Sequence, residues 1–508
     1  MILKIRHFTY LLVLITLSCS CNKKWDNYNN LRDSALSQSL LERINRNPDL
    51  SQFYSLLVKT GYDKVIASSK SFTVWAPNNV AIQKVDLAIM QDSVRLKQFV
   101  GNHIANQSYL ASTISGQLYI KTLNGKNVTF KRASVDDSPI IVADQYTGNG
   151  VLHVIGDAII PKPSIWEYLM STTTLQKQEL ISLNYLAFDR SSAIQTGVNP
   201  NTGAPIYKPG TGYTTLNRFN NLADISNEDS LYTYIVLIDP LFVAQQSSLF
   251  KYFVTTNLSK SDSLTKFNVI SMLAFKGVLN SEAFPDTVYS AVDSVKFHLR
   301  KSDIVESRKV SNGIVYVMNN ISYKLLGERN DSYARIKPIT LQGENIDSML
   351  VTKTYSVRTR RNPNNTIYQD MLLENHGTAS MWVNYRTNAN SVKYRVYWRV
   401  VRDNALALTG SATDLTYFPM RLAFNTPTNV SFTQAKPGVV DNGVDPVTGK
   451  HTFSPNYNDV LLGDFVSPFY FSKAAGFGSL NLFLLGNTVT TNGANTLLLD
   501  YIKLVPIP

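Results

Sequence analysis

Apolar residues recur at three- and four-residue spacing from Leu36 through Leu40, Leu41 and Ile44, and Phe53, Leu56 and Leu57 resume the pattern beyond Pro48. That period predicts helices on both sides of the proline. The pattern then changes. Ser71 to Ile82 (SFTVWAPNNVAI) opens as a continuous apolar run and predicts a buried strand. Pro77 should stop that strand, and Asn78 or Asn79 can cap a short helix after it. A further helix is predicted near 92–103. Strands follow around Tyr119-Ile120 and Val128-Thr129-Phe130, joined by the hairpin signal Asn124-Gly125. Gly148-Asn149-Gly150 then turns the chain into the apolar run Val151 to Ile155, before Pro161. Beyond Leu326 the period falls to two. Short alternating stretches at 381–386, 392–401, 429–432, 459–465, 469–471, 479–485 and 496–505 predict a β-sandwich over 336–508.

Two boxes in the first half, TVWAPNNVAI (73–82) and NGVLHVIG (149–156), resemble the paired signature segments of the fasciclin-like domain, with an aromatic at Trp75 and a departure at Gly156. The resemblance covers 34–163. A second, divergent copy over 164–327 is read from Tyr234 to Phe242 (YIVLIDPLF) and Ser311 to Met318 (SNGIVYVM). With Pro77 aligned to Pro240, 72 residues separate the proline from the closing asparagine in both copies, Asn149 and Asn312. Tyr316 stands where the first copy has His153. Between Tyr185 and Asn227 the second copy has extra chain rich in Gly, Asn, Pro and Thr, read as an ordered surface excursion. The resemblance implies adhesion or ligand binding rather than catalysis. His153 on its apolar run, and with it His103, are read as satisfied core histidines.

Alternation assigns faces within the sandwich. Val392, Tyr394, Val396, Trp398 and Val400 share one side of their strand, and Lys393, Arg395, Tyr397 and Arg399 the other. Along 381–386, Met381, Val383 and Tyr385 oppose Trp382, Asn384 and Arg386. If the two strands pair through 387–390, Trp382, Asn384, Arg386, Arg395, Tyr397 and Arg399 form one glycan-binding platform. Rings would stack on sugar faces, and Arg and Asn would serve hydroxyls. The competing reading is a solvated sheet face. The segments 459–465 (DVLLGDF) and 495–506 (NTLLLDYIKLVP) resemble strands of jelly-roll carbohydrate-binding modules.

The N-terminus predicts the compartment. Lys4 and Arg6 precede a ten-residue apolar run at 8–17, too short to span a bilayer and suited to a signal peptide. Ser18-Cys19-Ser20-Cys21 resembles a lipoprotein lipobox of Bacteroidetes type, without its usual upstream Leu. Residues 1–20 are read as a lipoprotein signal peptide, Cys21 as the lipidated residue (Cys19 is the alternative), and 21–33 as a tether. A plain cleaved signal is the competing reading. The expected location is the cell outer membrane, lipid-anchored, facing either the surface or the periplasm.

Composition narrows function further. The 508 residues carry a formal charge of +12, but no block of five or six basic residues, so nucleic acid is not an expected partner. Both cysteines lie in the leader and only six histidines exist, so neither cofactor nor metal is expected. Gly443 to Lys450 imitates a phosphate loop but has five residues between its glycines and His451 after the lysine, so it and Gly197 to Gly203 are read as turns. Arg358, Arg360 and Arg361 are read as flanking a turn at 362–365. Triplets such as Asp347-Ser348-Met349 resemble exported-protein O-glycosylation signals. The expected architecture is α+β: two fasciclin-like α/β units followed by an all-β jelly-roll-like sandwich. The expected function is non-enzymatic adhesion or glycan binding, with an extracellular or host glycan or protein as partner. The alternatives are a polysaccharide hydrolase or lyase, and a structural subunit beside the outer-membrane proteins of a polysaccharide-uptake complex.

Overall fold

The computed structural model describes residues 36–402, 418–449, 451–488, 490 and 495–508. Cys19, Cys21, the signal and tether segments and Lys450 lie outside them. The chain divides into two compact units: one of residues 1–171 with Ile225–Leu231 and Lys309–Ile314, the other of Thr172–Asp224, Tyr232–Arg308 and Val315–Pro508.

In the first unit, helix Leu40–Asn45 starts at Ser39, whose hydroxyl accepts from Glu42 N while the Glu42 carboxylate accepts from Ser39 N. This reciprocal cap satisfies two backbone donors that the helix start leaves unpaired. Helix Ser51–Thr60 buries Phe53 and Leu57 and ends at Gly61, which takes φ 77° as the left-handed cap. Strand Phe72–Pro77 is buried at every position, and Asn78 caps helix Asn79–Gln83 by accepting from Ala81 N at 2.8 Å. Asp92 caps helix Ser93–Gly101 in the same way. Strand Gly150–Ile155 then lies parallel to Phe72–Pro77, Gly150 opposite Phe72. The seven-stranded sheet runs Ile104–Ala105, Phe72–Pro77, Gly150–Ile155, Ser138–Thr147, Ser134–Val135, Asn127–Lys131, Gln117–Lys121. Its two central strands are covered on both faces, by the helical core around Phe53, Leu57 and Phe99 and by a second core around Trp75, Phe130 and Ile155. Continuous apolar runs are what such burial demands.

The box asparagines close this architecture. Asn149 Oδ1 accepts from Leu40 N at 2.8 Å, and its Nδ2 donates to Ile66 O at 2.7 Å, tying the first helix and the lead-in to the central strand onto the closing turn. Gly150 follows with φ 152°, and a Cβ there would sit 2.0 Å from Phe72 O, so only glycine fits. Asn312 repeats the arrangement: Ile165 N donates to its Oδ1 at 2.8 Å, and its Nδ2 reaches Ile225 O at 2.8 Å.

The two segments share a set of local bonds, in a register that differs from the proline alignment. Thr73 Oγ1 accepts from Tyr109 N and donates to Gln107 O; Thr233 Oγ1 accepts from Leu279 N and donates to Gly277 O. Asn78 N donates to Ile155 O, and Ile238 N to Met318 O. Thr73 therefore corresponds to Thr233 and Pro77 to Leu237, while Pro240 lies in the first turn of helix Asp239–Phe250. The matching 72-residue spacings are a coincidence of two prolines with different jobs; 75 residues separate Leu237 from Asn312. Proline suits the first helical turn because its missing N–H would be unpaired there anyway.

Both histidines of the first copy are core residues. His103 is fully buried, donates Nδ1–H to Phe99 O at 2.8 Å and accepts from Ile159 N at 2.9 Å. His153, also fully buried, donates from Nε2 to Tyr109 O at 3.0 Å and accepts from Asp144 N at 3.2 Å. In the second copy, Tyr316 Oη donates to the equivalent carbonyl, Leu279 O, at 2.8 Å and accepts from Ser281 N at 3.2 Å. A tyrosine can replace the histidine because the position needs one donor and one acceptor, not a base.

In the second unit the excursion forms two short ribbons, Asn184–Phe188 with Tyr213–Asn217 and Gln195–Val198 with Pro205–Tyr207. The Gly197 to Gly203 segment makes the turn of the latter. The sandwich sets a four-stranded sheet (Ile339–Gln342, Tyr501–Ile507, Lys393–Arg399, Val460–Val466) against a five-stranded one (Ser348–Met349, Trp382–Thr387, Leu480–Leu485, Met420–Phe424, Val430–Gln434). Tyr394, Val396 and Trp398 from the first and Val383, Tyr385, Leu422 and Leu484 from the second are buried. Trp398 Nε1 donates to Gln434 Oε1 at 2.7 Å, Phe424 stacks on Phe465 at 3.7 Å, and Tyr385 Oη donates to Gly343 O at 2.8 Å. The indole N–H and the phenol O–H thus both find acceptors inside the fold. Ser391 also bonds the chain at 251–254, donating Oγ–H to Lys251 O at 2.9 Å and accepting from Val254 N at 2.8 Å.

A charged network covers the outer side of the four-stranded sheet. Arg358, on the strand Ser356–Arg361 beside its hairpin turn, holds the fully buried Asp370 through two bonds of 2.8 and 2.6 Å. Arg399 Nε lies 2.8 Å from Asp500 Oδ2, and its guanidinium stands over Tyr368 and Tyr501. The Tyr501 hydroxyl bonds Asp459. Burial raises the Asp500 pKa to about 7 despite the nearby arginine, with Asp370, Glu344 and Asp459 adding to the rise.

His103 and Asp500 give stability opposite dependences on pH. Burial lowers the His103 pKa to about 4, so the unfolded chain takes up a proton below pH 6.5 that the folded one refuses. The stability of the first unit should fall by up to about 3 kcal/mol between pH 6.5 and 4. Hydrogen exchange of the Phe72–Pro77 amides should show this loss in the wild type and not in His103→Gln. Asp500 has the reverse sign. Its folded pKa exceeds the ordinary value, so its contribution is full below about pH 4 and disappears as pH rises through 7. Protection of the Tyr501–Ile507 amides against exchange should fall with rising pH between about 4 and 7, at a slope approaching 1.4 kcal/mol per unit, relative to Asp500→Asn.

Candidate functional site

The six residues expected to share a platform divide between the two sheets. Trp382–Thr387 pairs with Leu480–Leu485 and Ser348–Met349, whereas Lys393–Arg399 pairs with Val460–Val466 and Tyr501–Ile507. The hairpin through 387–390 does not form. Instead Ala389 pairs with Phe471 and Ser391 is held at Lys251 and Tyr252, so the chain crosses from one layer to the other. The face assignments themselves hold: Val392, Tyr394, Val396, Trp398 and Val400 are buried, and Lys393, Arg395, Tyr397 and Arg399 point outward.

On the four-stranded sheet the outward groups are engaged. Arg329 lies 3.9 Å over the Tyr397 ring, Arg399 is in the Asp500 network, and Arg395 Nε is 3.4 Å from Asp464 Oδ1. A covered ring is not an open stacking surface, and a paired guanidinium must lose its partner before it binds another. Asp500 has the raised pKa of a candidate general acid, but it is 3% exposed and enclosed by Arg399, Tyr368 and Tyr501. A substrate atom cannot reach it without rearrangement.

The five-stranded sheet presents a different surface. Trp382, Asn384 and Arg386 alternate along one strand with buried Met381, Val383 and Tyr385. Across the sheet the outward rows read Trp382–Leu485–Arg421, Asn384–Phe483–Ala423 and Arg386–Asn481. Trp382 is partly buried and meets Phe483 edge to face at 5.1 Å, which fixes the indole on the sheet's outer side. Asn384 is 3% exposed; its Nδ2 lies 3.3 Å from Asn481 Oδ1 and 3.5 Å from Ser348 Oγ, while its Oδ1 has no partner among the described residues. Arg421 is committed to Gly486 O and Ser380 Oγ.

At the Arg386 end the sheet opens into a groove of about 830 Å³ lined by Asp347, Arg386, Thr387, Asn388, Lys473 and Ser479. Asp347 Oδ2 accepts from Arg386 N at 2.7 Å, and Asn388 Oδ1 from Lys473 N at 3.1 Å. These bonds hold the backbone of the two loops and leave the Arg386 and Lys473 side chains facing solvent. Sequence alternation placed Trp382, Asn384 and Arg386 on this face. It missed Asp347, Asn388, Lys473 and Ser479, because three separate loops supply them and no local pattern links those loops. Smaller cavities in the first unit, near Tyr62 and Lys97 and near Tyr109 and Thr122, hold no comparable pair of free cations among the described residues.

Residues 48–161 match the Fasciclin domain family. No curated protein matches the chain. Among solved structures, a FAS1 domain pair from the insect cell adhesion molecule fasciclin I is 14% identical, with 54% of this chain and 96% of that chain covered and a TM-score of 0.22. The CBM36-1 domain of a multidomain xylanase from the hindgut metagenome of Trinervitermes trinervoides is 10% identical, with 34% of this chain and 99% of that one covered and a TM-score of 0.20. Both likenesses are slight by TM-score, and the architecture rests on the strands and helices themselves. The chain thus carries a fasciclin domain at 48–161 within a longer α+β protein that ends in a β-sandwich.

Proposed function

We propose that this is a non-enzymatic cell-envelope protein for adhesion or glycan binding, anchored at the outer membrane through a lipid on Cys21, with Cys19 as the alternative. The observation that carries the reading is the fasciclin-domain match over 48–161. It is supported by the composition of the outer face of the five-stranded sheet, where an indole, amides and cations stand in line. Partners of the stated chemistry are an extracellular or host glycan or protein, and the outer-membrane proteins of an uptake complex. The anchoring part of the reading rests on the leader alone. Two or more acyl chains would make the attachment stable.

In the glycan arm of this reading, stacking belongs to Trp382 and not to Tyr397, whose ring Arg329 already covers. On the full chain, Trp382→Ala should weaken binding to a bound member of a polysaccharide panel by about tenfold or more. Tyr397→Ala should leave that affinity unchanged. Calorimetry decides between them, and equal losses in both variants would return the site to the four-stranded sheet. Release of new reducing ends or unsaturated products from the same panel would replace the binding reading by an enzymatic one. For the anchor, globomycin treatment should cause precursor accumulation, and mass spectrometry should find an acylated cysteine at the mature N-terminus. An unmodified N-terminal residue other than Cys19 or Cys21 would eliminate lipidation.

A further inference from the structure

Most cations of the sandwich have anionic or carbonyl partners. Arg358 is matched by Asp370, Arg399 by Asp500, Arg395 by Asp464, Lys503 by Asp459 and Arg421 by a backbone carbonyl. Arg386 and Lys473 differ: their charged ends make no ion pair or hydrogen bond among the described residues, and both line one groove. The only acid lining that groove, Asp347, has Oδ2 bonded to the Arg386 backbone. The lining therefore has a net positive charge. A site for neutral sugars would need rings and amides but no concentration of unpaired cations.

We infer that this groove, with the sheet face running from it to Trp382, takes an acidic glycan, and that Arg386 and Lys473 hold the carboxylate of a uronate unit. The inference rests on the glycan-binding reading and specifies its ligand class. The guanidinium of Arg386 offers a planar pair of donors that matches a carboxylate, and Lys473 adds a mobile ammonium. Along the same strand, Asn384 and then Trp382 follow at two-residue steps, so the ring lies about 13 Å from Arg386 at the usual rise per residue. Asn384, 3% exposed with its Oδ1 buried, spaces the two ends and offers a ligand no open contact. The arrangement suits a short stretch of polymer: charge fixed at one end and a sugar face against the indole at the other. The groove volume of about 830 Å³ is within the range of oligosaccharide-sized ligand sites.

The test uses the full chain and calorimetry with hexamers of galacturonate, glucuronate and mannuronate, the methyl esters of each, and cellohexaose. At least one free-acid hexamer should bind tenfold or more tightly than its own methyl ester, and that preference should shrink as salt rises. Arg386→Ala and Lys473→Ala should each weaken the free acid about tenfold while leaving the ester unchanged. Both side chains are exposed, and the acid-to-ester comparison on the wild type needs no variant at all. If esters or cellohexaose bind as tightly as the acids, or the double variant binds the acid unchanged, the acidic-ligand inference fails and glycan binding survives. If no hexamer of either kind binds, both fail.

Discussion

Parallel pairing of Phe72–Pro77 with Gly150–Ile155 joins segments more than seventy residues apart, a closure that opposes chain entropy. The half-buried amide of Asn149 adds a further constraint. It accepts from the first turn of the leading helix and donates to the carbonyl of Ile66, so helix, lead-in loop and closing strand are joined at one side chain. Asn312 repeats the device at Ile165 and Ile225. Everything that the first unit places around its central strands, including the two apolar cores and the buried histidines, presupposes that closure. Removing such an amide would strand a buried donor and a buried acceptor together, a cost that a change of ring at Trp75 or of side chain at Gly156 does not carry.

The sandwich solves a different problem. It carries many charges on two outer faces, and it treats the faces differently. On the four-stranded sheet, Arg399, Asp500, Tyr501, Asp459 and Arg329 neutralise and cover one another, so the charge belongs to the fold. On the five-stranded sheet, an apolar patch of Trp382, Phe483, Ala423 and Leu485 lies beside two cations that no described residue neutralises. Partnered charge holds strands in register; unpartnered charge in a groove is available to a ligand. That contrast, rather than the number of basic residues, distinguishes the two faces of this domain.

Periodicity made much of this legible. Runs without alternation marked Phe72–Pro77 and Gly150–Ile155 as strands covered on both faces, and strict alternation sorted every residue from Val392 to Val400 correctly. Caps at Asn78 and Asp92 and the turns at Gly125, Gly203 and Gly449 follow from local sterics that a few neighbouring residues settle. The repeat was visible too, but its register was not. Two prolines gave equal spacings while occupying a strand end in one copy and a helix start in the other, and only the bonds of Thr73 and Thr233 reveal which positions correspond.

Pairing partners and neighbours in space were beyond reach of the sequence. A strand's face depends on its own alternation, so the order of residues from 381 to 386 is enough to put Trp382, Asn384 and Arg386 on one face. Whether that strand meets 393–399 or 480–485 depends on competition among many strands of similar composition, and the tertiary packing chose the latter. The same competition assigned Arg399 to Asp500 and left Arg386 beside Lys473, a choice between long-range partners that no local pattern encodes. By itself, then, the sequence determined the elements, their buried faces and the existence of two similar copies, because those follow from interactions within a few residues. The tertiary structure alone decided which faces lie together and which charges stay free, because those depend on contacts between segments far apart along the chain.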